Sequence, residues 1–190
     1  LAKTAYKQFE LDEVWIMPNG NPPHKRNIEQ TDFLIRCEMI RLAVNEEPGL
    51  VLCDYEGSED SYHFTYQTLG EFQKLYPEYE FYFIIGADSL LYMEHWKEPE
   101  IIFSLATIAC TVRDDADMDV IKAKGKELEE KGANIVYLDM PIIPISSTQI
   151  RELAKNHKSV TDLVSAEVAA YMQEEHLYEE DEKIFKKTFI

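Results

Sequence analysis

Short runs of β-branched, aliphatic and aromatic residues alternate along this chain with segments in which apolar side chains recur every three or four positions. The runs are Val14–Met17, Leu50–Tyr55, Phe81–Ile85, Ala106–Val112 and Ile135–Leu138, each of strand length. Between the first two, Phe33, Cys37, Ile40 and Val44 keep a helical period behind Asp32, a good N-cap. Between the next two, Thr65, Leu69, Phe72 and Tyr76 do the same. Both stripes are expected to face a sheet. Asp119 to Lys131 reads as a charged, solvent-facing helix, and Ser146 followed by Gln149 opens another in the manner of a capping box. Ser165 caps a last helix that carries Val168, Tyr171 and Met172 toward the core. This alternation predicts an α/β protein with parallel strands joined by crossover helices.

The residues that break the pattern gather after the strands. Pro18 to Lys25 follow the first strand, and Glu56, Gly57 and Ser58 follow the second, leading to Ser61, Tyr62 and His63. Gly86, Ala87, Asp88 and Ser89 follow the third, Arg113 the fourth, and Ile145 to Arg151 the fifth. Carboxyl ends of parallel strands share one edge, where open sheets bind ligands at a switch point, so a nucleotide-sized site is expected there. Ser146, Ser147 and Thr148 supply hydroxyls beside an open helix N-terminus, and Arg151 sits one turn further on. Unpaired N–H groups, the helix dipole and a guanidinium fork together make an anion cradle. A Ser/Thr-capped helix is also a common structural device, so the weight of this motif rests on its neighbours.

Composition narrows the picture. With 190 residues, of which 45% are hydrophobic, the chain closes one sizeable core. Residues 1–178 are expected to form a single domain, and Glu179-Glu180-Asp181-Glu182 to open an acidic tail over 179–190. A formal charge of −17, from 36 acidic and 19 basic side chains, argues against nucleic acid or an anionic membrane as partner. Phosphate must then be held by local groups. Cys37, Cys53 and Cys110 show neither CxxC nor metal-type spacing and are expected as buried, reduced thiols, with no metal site built from protein ligands. There is no 18-residue apolar run and no signal-peptide pattern, so a cytoplasmic protein is expected. The composition leaves a homo-oligomer open. The chain opens directly on helical sequence without Met, which suggests a segment upstream of Leu1.

Several candidates carry two readings that residue type does not separate. Gly86 is either a tight strand-to-helix turn or a place where a sugar approaches the backbone; Asp88 caps the next helix, accepts from ribose hydroxyls, or does both. His24 and Lys25, behind the stiff Pro22-Pro23 pair, are solvated or contact phosphate. Trp96, with Tyr92 one turn before it, packs in the core or stacks on a flat ring.

Taken in order, these residues resemble the bacterial nicotinate-nucleotide adenylyltransferases, of the nucleotidyltransferase branch of the Rossmann-like doubly wound folds. The resemblance spans Leu1 to Tyr178. It rests on Leu11-Asp12-Glu13-Val14-Trp15-Ile16-Met17-Pro18-Asn19 with Pro22-Pro23-His24-Lys25, on Arg36-Cys37-Glu38-Met39 and Ser61-Tyr62, on Gly86-Ala87-Asp88-Ser89 with Trp96, and on Ile145 to Arg151.

The resemblance implies that the 5′-phosphate of nicotinic acid mononucleotide attacks the α-phosphorus of ATP, with Mg²⁺ accompanying ATP, to give deamido-NAD and pyrophosphate. It places Ser146, Ser147, Thr148 and Arg151 on the triphosphate, with Lys25 and His24 reaching phosphate from the opposite loop and Lys25 and Arg151 as the catalytic cations. Gly86 and Asp88 take the adenosine ribose, Arg113 lies by the adenine, and Trp96, Tyr92, Tyr62 and His63 surround the pyridine ring. The family's loop G-G-[ST]-F-[DN]-P-x-H-x-G-H, which carries its catalytic histidines, has no match in these 190 residues, so the sheet is expected to lack its first, central strand and to show unpaired edges. After Ser61-Tyr62 the chain runs His63-Phe64-Thr65-Tyr66 in place of the family's usual Thr, apolar residue, Asp, Thr, which leaves backbone contacts as the expected means of recognition there. The alternatives are a sister nucleotidyltransferase with a phosphopantetheine-type acceptor and a non-catalytic nucleotide-binding module.

Overall fold

Parallel pairing sorts the strands into two sheets. The computed structural model describes residues 1–20, 31–57, 63–111, 118–139 and 145–179. Helix α1 (Ala2–Gln8) leads to β1 (Val14–Ile16), and α2 (Phe33–Val44) crosses to β2 (Leu50–Leu52). Val14 lies opposite Leu50 and Ile16 opposite Leu52. A 3-10 turn at Tyr55–Gly57 and α3 (Thr65–Leu75) lead to β3 (Phe81–Gly86), followed by α4 (Ala87–Tyr92), a 3-10 turn at Met93–His95 and α5 (Pro99–Leu105). Then come β4 (Ala106–Thr111), α6 (Met118–Glu129), β5 (Asn134–Leu138), α7 (Ser147–Lys155) and α8 (Ala166–Glu174). Strands β3, β4 and β5 pair in that order, all parallel.

Each expected strand forms; the first ends one residue early at Ile16, Val112 of the fourth lies outside the described residues, and the second is shortened most. The run Leu50–Tyr55 stops at Leu52 because Cys53 N–H donates the last rung to the Ile16 carbonyl and the chain then winds, Gly57 N–H donating to the Asp54 carbonyl. The one open sheet suggested by the alternation is instead divided, and β1 and β3 each keep an edge unpaired among the described residues. Trp15 of β1 meets Phe81 of β3 with ring centroids 6.4 Å apart, so aromatic contact joins what backbone pairing does not.

Strand β4 lies at the centre of the larger sheet. Ile108, Ala109 and Cys110 are inaccessible, with Ile108 and Cys110 packed against Leu90, Met93, Ile102, Ile121 and Leu128 and Ala109 on the opposite face. Burial on both faces explains the unbroken apolar run Ala106–Thr111. Burial also pushes the Cys110 thiol up to about 11, so it stays protonated and inert. All three cysteines are free; Cys37 is buried like Cys110, whereas Cys53 is only half-buried. A second cluster joins Val168, Ala169 and Met172 of α8 to Ile35, Met39 and Leu42 of α2 and to Ile150 and Leu153 of α7. Among the described residues no helix is long and apolar enough to cross a membrane.

Helix α6 corrects an expectation, because it does not lie free in solvent. Ile121, Gly125 and Leu128 are buried, and Lys124 donates to Glu94 at 2.7 Å while Lys131 donates to the same carboxylate at 2.9 Å. These two ammonium hydrogen bonds hold the Glu94 carboxyl at about 2, below its usual 4.5. A depressed carboxylate stabilises the fold fully above its unfolded value and loses that contribution as pH falls through the folded one. Glu94→Gln should therefore lower Tm at pH 7, with a deficit that shrinks as pH is taken from 4.5 toward about 2. Thermal melts across that range check it, and a deficit independent of pH would overturn the assignment.

Candidate functional site

Strand register brings three of the candidate segments to one edge. Gly86 pairs with Thr111 and Thr111 with Leu138, so the chain leaves β3, β4 and β5 from a single row. In the smaller sheet, Ile16 and Leu52 end together, and the two following segments touch. A Cβ built on Gly20 would stand 1.9 Å from the Glu56 carbonyl oxygen, and one on Gly57 would stand 2.3 Å from the Phe33 ring. Only glycine allows either approach. The Glu56 side chain is buried and accepts a 2.9 Å hydrogen bond from the Thr68 hydroxyl of α3, which fixes the turn after β2.

The segment expected to cradle an anion stands at the start of α7. Ser146 is extended (φ −121°, ψ 149°), and its Oγ accepts from Gln149 N–H at 3.1 Å, the Ser half of the expected box. Arg151 turns back to donate from Nη2 to Thr148 Oγ1 at 3.4 Å. Ser146, Ser147, Thr148 and Arg151 are all exposed, because Ile150 and Leu153 commit the opposite face of the helix to α8. Hydroxyls, open N–H groups and a guanidinium therefore converge on solvent at one helix terminus.

At Gly86 the geometry separates the two readings. Its φ of −82° and ψ of 163° suit any residue, so the turn does not require glycine. A Cβ there meets nothing within 4 Å, which leaves open space beside the backbone. Gly86 itself is the N-cap of α4, and Asp88 lies inside the first turn; the helix begins directly at the end of β3, so Asp88 does not serve as the cap. Its carboxylate is exposed and aligned with the helix dipole.

The candidates for the flat ring are more dispersed. Trp96 is half-buried and meets Phe83 edge-on at 6.1 Å, at the margin of the main core. Tyr92 is 62% exposed and stacks on His95 at 4.6 Å. His63 contacts Tyr55 at 6.0 Å and, with Tyr66 and Gln67, lines a cleft of about 410 Å³ beside the first turn of α3. His24, Lys25, Tyr62 and Arg113 lie outside the described residues. Among the described residues no three His, Cys, Asp or Glu side chains gather as metal ligands.

Two positioning contacts were invisible in the sequence. Gln8 donates to the Tyr137 carbonyl at 2.8 Å and accepts from Asp139 N–H at 2.8 Å, adding a side-chain rung where the chain leaves β5. Arg36 donates to the Asn19 and Thr31 carbonyls. No local motif announces partners that far away.

The cytidylyltransferase-like family model matches residues 1–153. A Clostridium botulinum (strain Okra) protein named a probable nicotinate-nucleotide adenylyltransferase is 36% identical over 180 residues, covering 94% of this chain and 90% of the relative. The Clostridium tetani protein of the same name is 34% identical over 179 residues, with the same coverage. The solved structure of Plasmodium falciparum nicotinic acid mononucleotide adenylyltransferase complexed with NaAD shares the fold, with a TM-score of 0.72 at 19% identity over 93% of this chain and 87% of that one. The parallel strands joined by crossover helices agree with that shared fold, and the chain belongs to the cytidylyltransferase-like family, among its nicotinate-nucleotide adenylyltransferases.

Proposed function

We propose that this protein transfers the adenylyl group of ATP to nicotinic acid mononucleotide in NAD biosynthesis. The observation that carries the proposal is the 36% identity with a nicotinate-nucleotide adenylyltransferase over 94% of the chain. An oxygen of the acceptor's 5′-phosphate forms a bond to the α-phosphorus of ATP, and the bond from that phosphorus to the bridging oxygen breaks. The electron pair leaves on pyrophosphate, and the product is deamido-NAD. No covalent enzyme intermediate is needed, so the work of the protein is alignment and charge neutralisation. Ser146, Ser147 and Thr148, with the first N–H groups of α7 and Arg151, hold the triphosphate. His24 and Lys25 reach phosphate from the segment after β1, and Arg113 lies by the adenine. Gly86 and Asp88 take the ribose, the open side of Gly86 leaving room for the sugar. Trp96, Tyr92, Tyr62 and His63 surround the pyridine. Mg²⁺ accompanying ATP would neutralise the charge moving toward pyrophosphate.

Three measurements test this reading. Pyrophosphate release from ATP and Mg²⁺ should require nicotinic acid mononucleotide; release that ignores the acceptor would sink the proposal. Arg151→Ala should weaken ATP binding by about 1.5–3 kcal/mol, the worth of a charge-assisted hydrogen bond, and calorimetry showing unchanged affinity would remove that role. Gly86→Ala should raise the KM for ATP about tenfold. Its stability should stay within about 1 kcal/mol of the wild type, a poorer N-cap opposing a stiffer unfolded chain. Unaltered KM would return Gly86 to a purely structural part.

A further inference from the structure

His63 precedes α3 and Trp96 follows the 3-10 turn at Met93–His95, yet one contact joins their immediate neighbours. Phe64 follows His63, Lys97 follows Trp96, and the Lys97 ammonium lies over the Phe64 ring, 4.4 Å from its centre. Tyr66 lies 5.9 Å from the same ammonium and stacks on Phe64 at 6.2 Å, so the cation faces a pair of rings. Both ends of this contact have firm footing. Phe64 is the N-cap of α3, and its N–H donates to Gln67 Oε1 at 3.2 Å. Tyr66 and Trp96 pack against the main core, Trp96 edge-on to Phe83.

The residue after Lys97 holds a strained backbone. Glu98 has φ 53° and ψ 55°, the left-handed region that a Cβ disfavours, and Pro99 behind it favours extended backbone instead. Such a residue persists only where its surroundings over-determine it. On one side Pro99 opens α5, anchored by buried Ile102 and Phe103; on the other stands Lys97, tied to α3. Trp96 N–H donates to the Met93 carbonyl and closes the turn that leads in.

We propose that Lys97 is a positioning residue for the acceptor: its ammonium, seated on Phe64 and Tyr66, fixes the spacing between the Trp96 indole and His63 that receives the pyridine ring. The inference rests on the assignment of Trp96 and His63 to that ring made above. Methionine at this position keeps most of the apolar stem and loses the charge, whereas arginine keeps a cation that stacks on aromatic faces. The effect should fall on the mononucleotide and spare ATP, because the start of α7, assigned to the triphosphate, belongs to a helix packed with α2 and α8.

Lys97 is exposed, so neither substitution opens the core. Lys97→Met should raise the KM for nicotinic acid mononucleotide about tenfold and leave the KM for ATP within about twofold, and Lys97→Arg should recover most of the loss. With fluorotryptophan incorporated, fluorine NMR reads the chain's two tryptophans, Trp15 and Trp96, separately; the resonance lost in Trp96→Phe identifies the second. Lys97→Met should shift the Trp96 resonance and leave that of Trp15 in place. An unchanged mononucleotide KM in Lys97→Met would overturn the inference, as would an equal rise in both KM values, or Lys97→Arg as impaired as Lys97→Met. Absence of turnover in the wild type would instead count against adenylyl transfer. Calorimetry of mononucleotide binding and the Trp96 resonance would then judge the positioning role by themselves.

Discussion

Parallel pairing is the constraint on which the rest depends. Antiparallel neighbours would scatter the segments after β3, β4 and β5 to opposite ends of the sheet; in parallel they all leave from the row Gly86, Thr111, Leu138. That pairing is possible only because α5 and α6 cross over the sheet and cover β4, whose Ile108, Ala109 and Cys110 have no access to water. Core burial and site assembly are therefore one event. Loss of a side chain beneath β4 would shift the edge on which the candidate groups stand.

A second constraint works through α7. Its inward face belongs to the cluster of α8 and α2, and its outward face carries Ser147, Thr148 and Arg151. The same α2 supplies Arg36 and Phe33 to the two segments after β1 and β2. One helix thus references both sides of the candidate crevice, the start of α7 through packing, the segment after β1 through a hydrogen bond and the turn after β2 through the Phe33 ring. A small displacement of α2 would be felt on both sides together.

What could be read in advance follows from how local each signal is. Caps at Asp32, Ser146 and Ser165 were legible because a side-chain oxygen serves an N–H two or three residues on. The five strands were legible from β-branched runs, and the nucleotidyltransferase reading from the order of motifs on one edge. The premature end of β2 was not, since Cys53, Asp54 and Tyr55 look strand-like until the backbone turns. Nor were the Gln8 rung, the Arg36 hydrogen bonds or the binding of α6 through Glu94, because each partner is set by tertiary approach. At Gly86 residue type alone invited a turn explanation, and only the backbone dihedral angles dismissed it.

The unpaired edge of β1 has a further consequence. In a parallel ladder successive residues point their backbone groups to opposite sides. Val14 N–H donates to the Gly49 carbonyl and the Ile16 carbonyl accepts from Cys53 N–H, so both residues face β2. Trp15, between them, turns its own peptide groups away from β2, toward the side where its ring meets Phe81. Among the described residues, backbone amide exchange along this strand would therefore alternate residue by residue, slower where the peptide faces β2 and faster at Trp15.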